Sequence, residues 1–167
     1  LMPYPNPADL EAMRKDPNIN LLSQEGLNIG YWAFNTEKAP FTDKRVRQAV
    51  YQAIDINAIQ KSVMRGASAP TGLMIAPGIT GFPADLNKRL PYDVEAAKKL
   101  MAEAGYPNGF EVGMNCPNDR YVNDEEICQA VIAMWARIGV KASLVAENMA
   151  TFSQKFQNFD SSLYMLG

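Results

Sequence analysis

Histidine is missing altogether from these 167 residues. Without an imidazole, the Ser-His-Asp and Cys-His nucleophile systems have no general base here. A zinc or haem site likewise lacks its usual nitrogen ligand. Cysteine is scarce, with only Cys116 and Cys128. Two are too few for a disulfide framework, and they lack metal-ligand spacing. The expected state is two free buried thiols; a bridge stays open, because the intervening segment can loop back and the compartment can be oxidising. A basic excess is also absent: the net charge of -2 argues against a nucleic-acid surface. No apolar run approaches the ~20 residues of a membrane span. The opening LMPYPNPADL lacks the ordered basic, apolar and small-residue regions of a signal peptide. Gly105, Gly109 and Gly113 stand singly, with no Lys-Ser/Thr after them, so no phosphate-binding glycine loop is present.

What is there belongs to an ordinary folded domain. Apolar residues make up 47% and charged residues 20% of the chain, the balance of a globular protein. This length predicts one domain that buries roughly 70% of its unfolded surface. Both ends read as cut, so the expectation is a fragment of a longer protein. On that expectation the missing signal peptide carries no information about location.

The chain is organised around IGYWAFNTEKAPFTDKRVRQAVYQAID, residues 29–55. An apolar strand ends at Asn35, a short loop holds Pro40 and Phe41, and a helix starts at Thr42 or Asp43. That helix has an apolar face of Val46, Ala49, Val50, Ala53 and Ile54. Strand feeding helix is a basic α/β step. Upstream, Asn6-Pro7 predicts a helix start, and residues 19–24 read as a short strand. Downstream, Asp55 or Asn57 caps a short helix ended by Gly66. Residues 67–91, rich in Pro and Gly, predict a long irregular segment.

From Asp93 onward the order is helix, strand, helix, strand, helix, strand. Such alternation predicts an α/β fold with a mainly parallel or mixed sheet flanked by helices. Ala97, Leu100, Met101 and Ala104 recur at helical spacing before Gly105. The helix DEEICQAVIAMWARIG carries a wide apolar stripe, with Asn123 and Glu126 close to a capping box. Its first-turn acids suit the macrodipole and need no catalytic role.

Arg120 is the polar residue that stands out. It lies in the strand-to-helix loop CPNDRYV. Ligands collect at the carboxyl ends of strands in open α/β sheets, and a guanidinium there holds a carboxylate by two parallel hydrogen bonds. The plain alternative is a surface arginine paired with Asp119 or Asp124. Strand alternation puts Tyr31, Ala33 and Asn35 on one face and Trp32 and Phe34 on the other. Core packing is the default for these aromatics, and cleft lining is the alternative. The Lys44, Arg45, Arg47 run predicts a solvated helix face.

Several phrases carry a resemblance. YPNPADLEAMRKDP and INLLSQEGLNIGYWAFNT, then APFTDKRVRQAVYQAID, LPYDVEAAKKLMAEAGYPNGFEV and DRYVNDEEICQAVIAMWARIGVKASLV fall in the order seen in bacterial extracellular solute-binding proteins, family 5. These serve ABC importers of the peptide/nickel class. The resemblance implies a type II periplasmic-binding fold, in which two lobes close on a solute and deliver it to a membrane permease. Residues 1–167 would form a single domain, most of the C-terminal lobe. Ligands across the family include peptides, glutathione, nickel chelates, opines and some sugars. Members are periplasmic, or lipid-anchored outside Gram-positive cells. In dipeptide-binding relatives an Arg in the loop matching CPNDRYV holds the ligand's carboxylate, and Arg120 falls on that position. The acidic partner for the ligand's amino group belongs to a motif that would follow LYMLG.

The expected function is therefore binding of a peptide or similar small carboxylate-bearing solute, with no cofactor and no catalysis. Arg120 would anchor it, with Tyr31, Trp32 and Asn35 as candidate cleft residues. The alternative is a ligand-sensing domain of a transcription regulator. A hydrolase or transferase is disfavoured by the missing histidine.

Overall fold

The computed structural model describes residues 3–167. In chain order its elements are helix α1 (Leu10–Lys15), strand β1 (Tyr31–Phe34), helix α2 (Lys44–Gln52), the short helix α3 (Ile56–Ala58) and helix α4 (Val94–Glu103). Strand β2 (Glu111–Pro117), helix α5 (Asp124–Ala136), strand β3 (Lys141–Glu147), helix α6 (Met149–Gln157) and strand β4 (Leu163–Leu166) complete it. The four strands form one mixed sheet in the order β1-β4-β2-β3. β2 runs parallel to both β3 and β4, and β1 runs antiparallel to β4. The expected α/β architecture is what forms.

Alternation along the strands sorts the two faces. Met114 and Cys116 of β2, and Leu163 and Met165 of β4, are buried. They join Val46, Val50, Ala97, Val131 and Trp135 in the main core. Trp135, fully buried, donates its indole N–H to Val50 O at 2.9 Å, so its polar atom is satisfied. Tyr164 faces the other way and meets Phe152 and Phe156 of α6, with ring centroids 6.3 and 5.6 Å away. Helices α2, α4 and α5 thus cover one face and α6 the other. Gly109 and Gly139 let the turns before β2 and β3 touch: a Cβ on Gly109 would stand 1.9 Å from Gly139 O, and both residues have positive φ.

Asp43, Asp93 and Asn148 cap α2, α4 and α6 through their side chains, as such residues do. Asp55, not Asn57, caps α3, and a π-helical turn, Ile59–Val63, continues it towards Arg65 and Gly66, both at positive φ.

Several expectations are corrected. Asn6-Pro7 opens a turn, with Asn6 Oδ1 accepting from Ala8 N–H; the helix proper starts at Leu10 after Asp9. Residues 19–24 are not a strand: among the described residues none pairs with them in a sheet, and Leu22 is exposed. Asn123 makes no capping box. It sits in the left-handed region at φ 54, and its Nδ2 donates to Val63 O at 2.9 Å. The basic run is only partly solvated, because Arg47 Nη1 donates to Phe41 O at 2.6 Å and Arg45 Nη1 to Glu103 O at 2.7 Å.

The expected free thiols are also corrected. Cys116 and Cys128 form a disulfide. Strand β2 and helix α5 bring them together on the buried face, with Met165 Sδ 3.9 and 3.7 Å from the two sulfurs.

One pH effect arises in this frame. Asp43 accepts a side-chain hydrogen bond from Arg45 and also its backbone N–H, and these hold its carboxyl below the ordinary carboxylate range. A carboxyl lowered on folding stabilises the fold above its unfolded value of about 3.9 and loses that contribution as pH falls through the folded value. In urea titrations Asp43→Asn is expected to be less stable than the parent at neutral pH. The gap should close on acidification below about pH 4. A gap of constant size across that range would remove the charge from the account.

Candidate functional site

The parallel strands β2, β3 and β4 end on one edge of the sheet. Because β1 is antiparallel to β4, it begins at that edge. The register makes this explicit: Tyr31 is opposite Leu166, and Pro117 is opposite Glu147. The β2–α5 loop, residues 118–123, stands above this row.

That loop is pinned at every turn. Asn118 N–H donates to Glu147 O at 3.0 Å, and Asp119 Oδ1 accepts from Met149 N–H at 2.7 Å. Both bonds tie it to the β3–α6 junction. The buried carboxylate of Asp124 accepts from Arg120 N–H at 3.1 Å, from Tyr121 N–H at 3.0 Å and, through its other oxygen, from Glu125 N–H at 3.0 Å. On the opposite flank, Tyr121 OH donates to Gly167 O at 2.6 Å and accepts from Gly167 N–H at 2.9 Å. The disulfide holds the base of the loop. A buried carboxylate with three backbone donors is a satisfied one.

Arg120 rises from this support into solvent. Its guanidinium carbon lies 5.2 Å from the centre of the Tyr121 ring. Neither Asp119 nor Asp124 accepts from that guanidinium; Asp119 Oδ1 and both oxygens of Asp124 accept from backbone N–H groups instead. Among the described residues no hydrogen bond or ion pair engages it. A planar, always-charged fork held at a strand-end edge with its donors open can take a carboxylate.

The other candidate residues separate. Tyr31, half-buried, begins β1 at the same edge as Arg120. Trp32 turns to the opposite face, packs against the main core, and keeps its indole N–H buried with no hydrogen-bond partner among the described residues. Asn35 lies past the far end of β1, about 13 Å along the strand from Tyr31 at ~3.3 Å per residue. There its Oδ1 accepts from Glu37 N–H and its Nδ2 donates to Phe159 O, so its amide shapes the turn into α2. The structure therefore does not bring Asn35 to the edge that carries Arg120. Tyr31 and Asn35 lie at opposite ends of the strand whichever way it runs, and the antiparallel pairing of β1 with β4 puts Tyr31, not Asn35, at the Arg120 end. The supporting roles of Tyr121 and Asp124 are not read from the sequence, where Asp124 is weighed as an ion-pair partner for Arg120. Of these, Asp124 had a legible signal, an Asx residue four positions after Arg120.

The edge is open rather than enclosed. A cavity of about 230 Å³ lies elsewhere, lined by Asp55, Asn57, Pro70, Arg89 and Tyr92 among others. Among the described residues no cluster of three or more His, Cys, Asp or Glu could hold a metal, and no helix is long and apolar enough to cross a membrane.

The sheet order and helix placement are those of the type II periplasmic-binding class. Over 98% of the chain the fold superposes on HbpA2 from Haemophilus parasuis with a TM-score of 0.85 and 35% identity, covering 33% of that protein. It matches the DppA periplasmic binding protein of Helicobacter pylori, solved in complex with the peptide STSA, with a TM-score of 0.86 and 25% identity over 98% of this chain and 31% of that one. Residues 1–167 match the bacterial extracellular solute-binding proteins, family 5 Middle, and the chain belongs to that family. Heme-binding protein A of Haemophilus influenzae is 41% identical over an alignment of 161 residues that covers 93% of this chain and 29% of that protein. The dipeptide-binding protein of Escherichia coli is 35% identical over an alignment of 170 positions, gaps included, that covers 100% of this chain and 32% of that protein. The chain thus spans about a third of each relative. The regulator alternative has no counterpart among these relatives.

Proposed function

We propose that residues 1–167 form most of the C-terminal lobe of a two-lobed binding protein that holds a peptide or similar small carboxylate-bearing solute and presents it to the permease of an ABC importer. The observation that carries this is Arg120: its guanidinium stands open at the strand-end edge, on a loop held by Asp124, Tyr121 and the disulfide. The likeness to dipeptide- and peptide-binding relatives supports the same class of ligand. A disulfide is at home in an oxidising compartment, which favours the periplasm or the outer face of a lipid-anchored protein. One lobe exposes its half of the cleft to water, so its grip alone is weak. Closure of a second lobe would desolvate the ligand and strengthen each charge contact.

Haem is the other cargo to weigh, given the relative of that name. This chain has no histidine and its cysteines are bonded to each other, so an iron ligand from it would be a tyrosine oxygen or a methionine sulfur. Calorimetric titration of the full-length protein with Met-Leu, with its C-terminal amide, and with haem separates the readings. Binding of the free acid and loss of at least about tenfold with the amide is expected, since the amide leaves the fork without its charged partner. Equal affinity for acid and amide, or binding of haem alone, would replace the peptide reading.

A further inference from the structure

We infer that Tyr121 is the positioning residue that sets the ligand's carboxylate end, by holding Arg120 in place and tying it to the end of β4. This deepens the proposed function and rests on Arg120 being the carboxylate anchor. Tyr121 works from two sides. Its ring face lies under the Arg120 guanidinium, 5.2 Å from the ring centre, a cation–π contact that leaves the outward edge of the fork free. Its hydroxyl bonds Gly167 in both directions, donating to the carbonyl at 2.6 Å and accepting the N–H at 2.9 Å. A phenol with both its donor and acceptor engaged on one residue has little freedom to swing.

The contact on the Gly167 side is close. A Cβ on Gly167 would lie 2.9 Å from Asn28 Nδ2, 3.2 Å from Ile29 O and 3.3 Å from Tyr121 Cε1. The segment just before β1, the residue after β4 and the ring of Tyr121 therefore meet at Gly167. The Asp124 carboxylate fixes the backbone of residues 120 and 121, but no hydrogen bond or ion pair joins it to the guanidinium. Orientation of the fork itself falls to the Tyr121 ring. An arginine already held in its binding posture loses less freedom when the ligand arrives, and that difference appears as affinity for the charged group. A ligand without the carboxylate gains nothing from it.

The readout is the ratio of affinities for Met-Leu and Met-Leu amide, measured on the full-length protein. Tyr121→Leu is expected to lower that ratio by about tenfold, through loss of both ring and tether. Tyr121→Phe keeps the ring and loses the tether, so its ratio should fall by about threefold. A purely structural role would weaken acid and amide alike and leave the ratio unmoved. If Tyr121→Leu does not fold, the Phe variant decides alone: an unchanged ratio overturns the inference. Arg120→Ala is the control. If it collapses the ratio and the Tyr121 variants do not, the anchor stands and the inference fails. If Arg120→Ala leaves the ratio intact, the anchor itself is wrong, and the role of Tyr121 falls with it.

Discussion

Arg120→Ala is expected to weaken binding of a free-acid dipeptide to the full-length protein by about two orders of magnitude. Truncating one partner of a closed-in, hydrogen-bonded charge pair costs about 2–5 kcal/mol, and about 1.4 kcal/mol is a factor of ten. The loss should sit in the dissociation rate, since a short-range fork contact acts after encounter. Arg120→Lys restores charge without the two parallel donors, so it should recover only part of the affinity. Folding should be nearly untouched. The side chain is exposed and engages no acceptor among the described residues, and such surface changes stay within about 0.5 kcal/mol. Surface plasmon resonance for the rates and thermal unfolding for the fold check both halves. An unchanged dissociation rate would take Arg120 out of the site.

Breaking the Cys116–Cys128 bridge is the second large effect. The bridge closes a segment with a sequence separation of 12, and a loop of that order is worth about 3 kcal/mol in the chain-entropy account. The residues it joins lie in the main core, fully buried. They fasten the end of β2 to the first turns of α5, the two elements that carry the Arg120 loop. The paired variant Cys116→Ala with Cys128→Ala should therefore raise amide exchange in β2 and α5 by about a hundredfold, the equivalent of that energy at about 1.4 kcal/mol per decade. A local readout suits a protein of more than one lobe, where a single melting temperature is not well defined. Peptide affinity should drop with it, because the loop loses its base. Exchange that stays slow in residues 111–136 of the paired variant would show that packing, not the bridge, holds this corner.

The two effects separate by distance from the ligand. Arg120 would touch it and leaves the fold alone; the disulfide never touches it and acts through the loop's support. Measured together, they divide the affinity into contact and pre-organisation. Tyr121 belongs to the second share, which is why its test is a ratio and not a single constant.

Much of the architecture is legible in local chemistry. Asp43, Asp93 and Asn148 announce helix starts because a short acceptor side chain satisfies free N–H groups at the first turn. Gly105 and Gly139 announce stops because they take positive φ without a Cβ penalty. The apolar stripe of α5 predicts a buried face, and Val131 and Trp135 are fully buried. Alternating elements after Asp93 predict the mixed sheet that forms. Where local chemistry has two outlets, it misleads. Asn123 has the composition of a cap, yet its amide is drawn to Val63 O, sixty residues away in sequence.

By itself, then, the order of residues determined which segments coil or extend, which faces turn inward, and that a guanidinium sits in a loop after a strand. Those are short-range matters, settled by periodicity, capping and turn chemistry within a few residues. Only the folded chain decided that β1 runs against β4, that Tyr31 shares an edge with Arg120 while Asn35 does not, that two cysteines meet, and that Tyr121 spans from one strand end to the arginine. Each of these depends on contacts between residues far apart in sequence. Such contacts form only once the sheet order is set, and no local preference encodes that order.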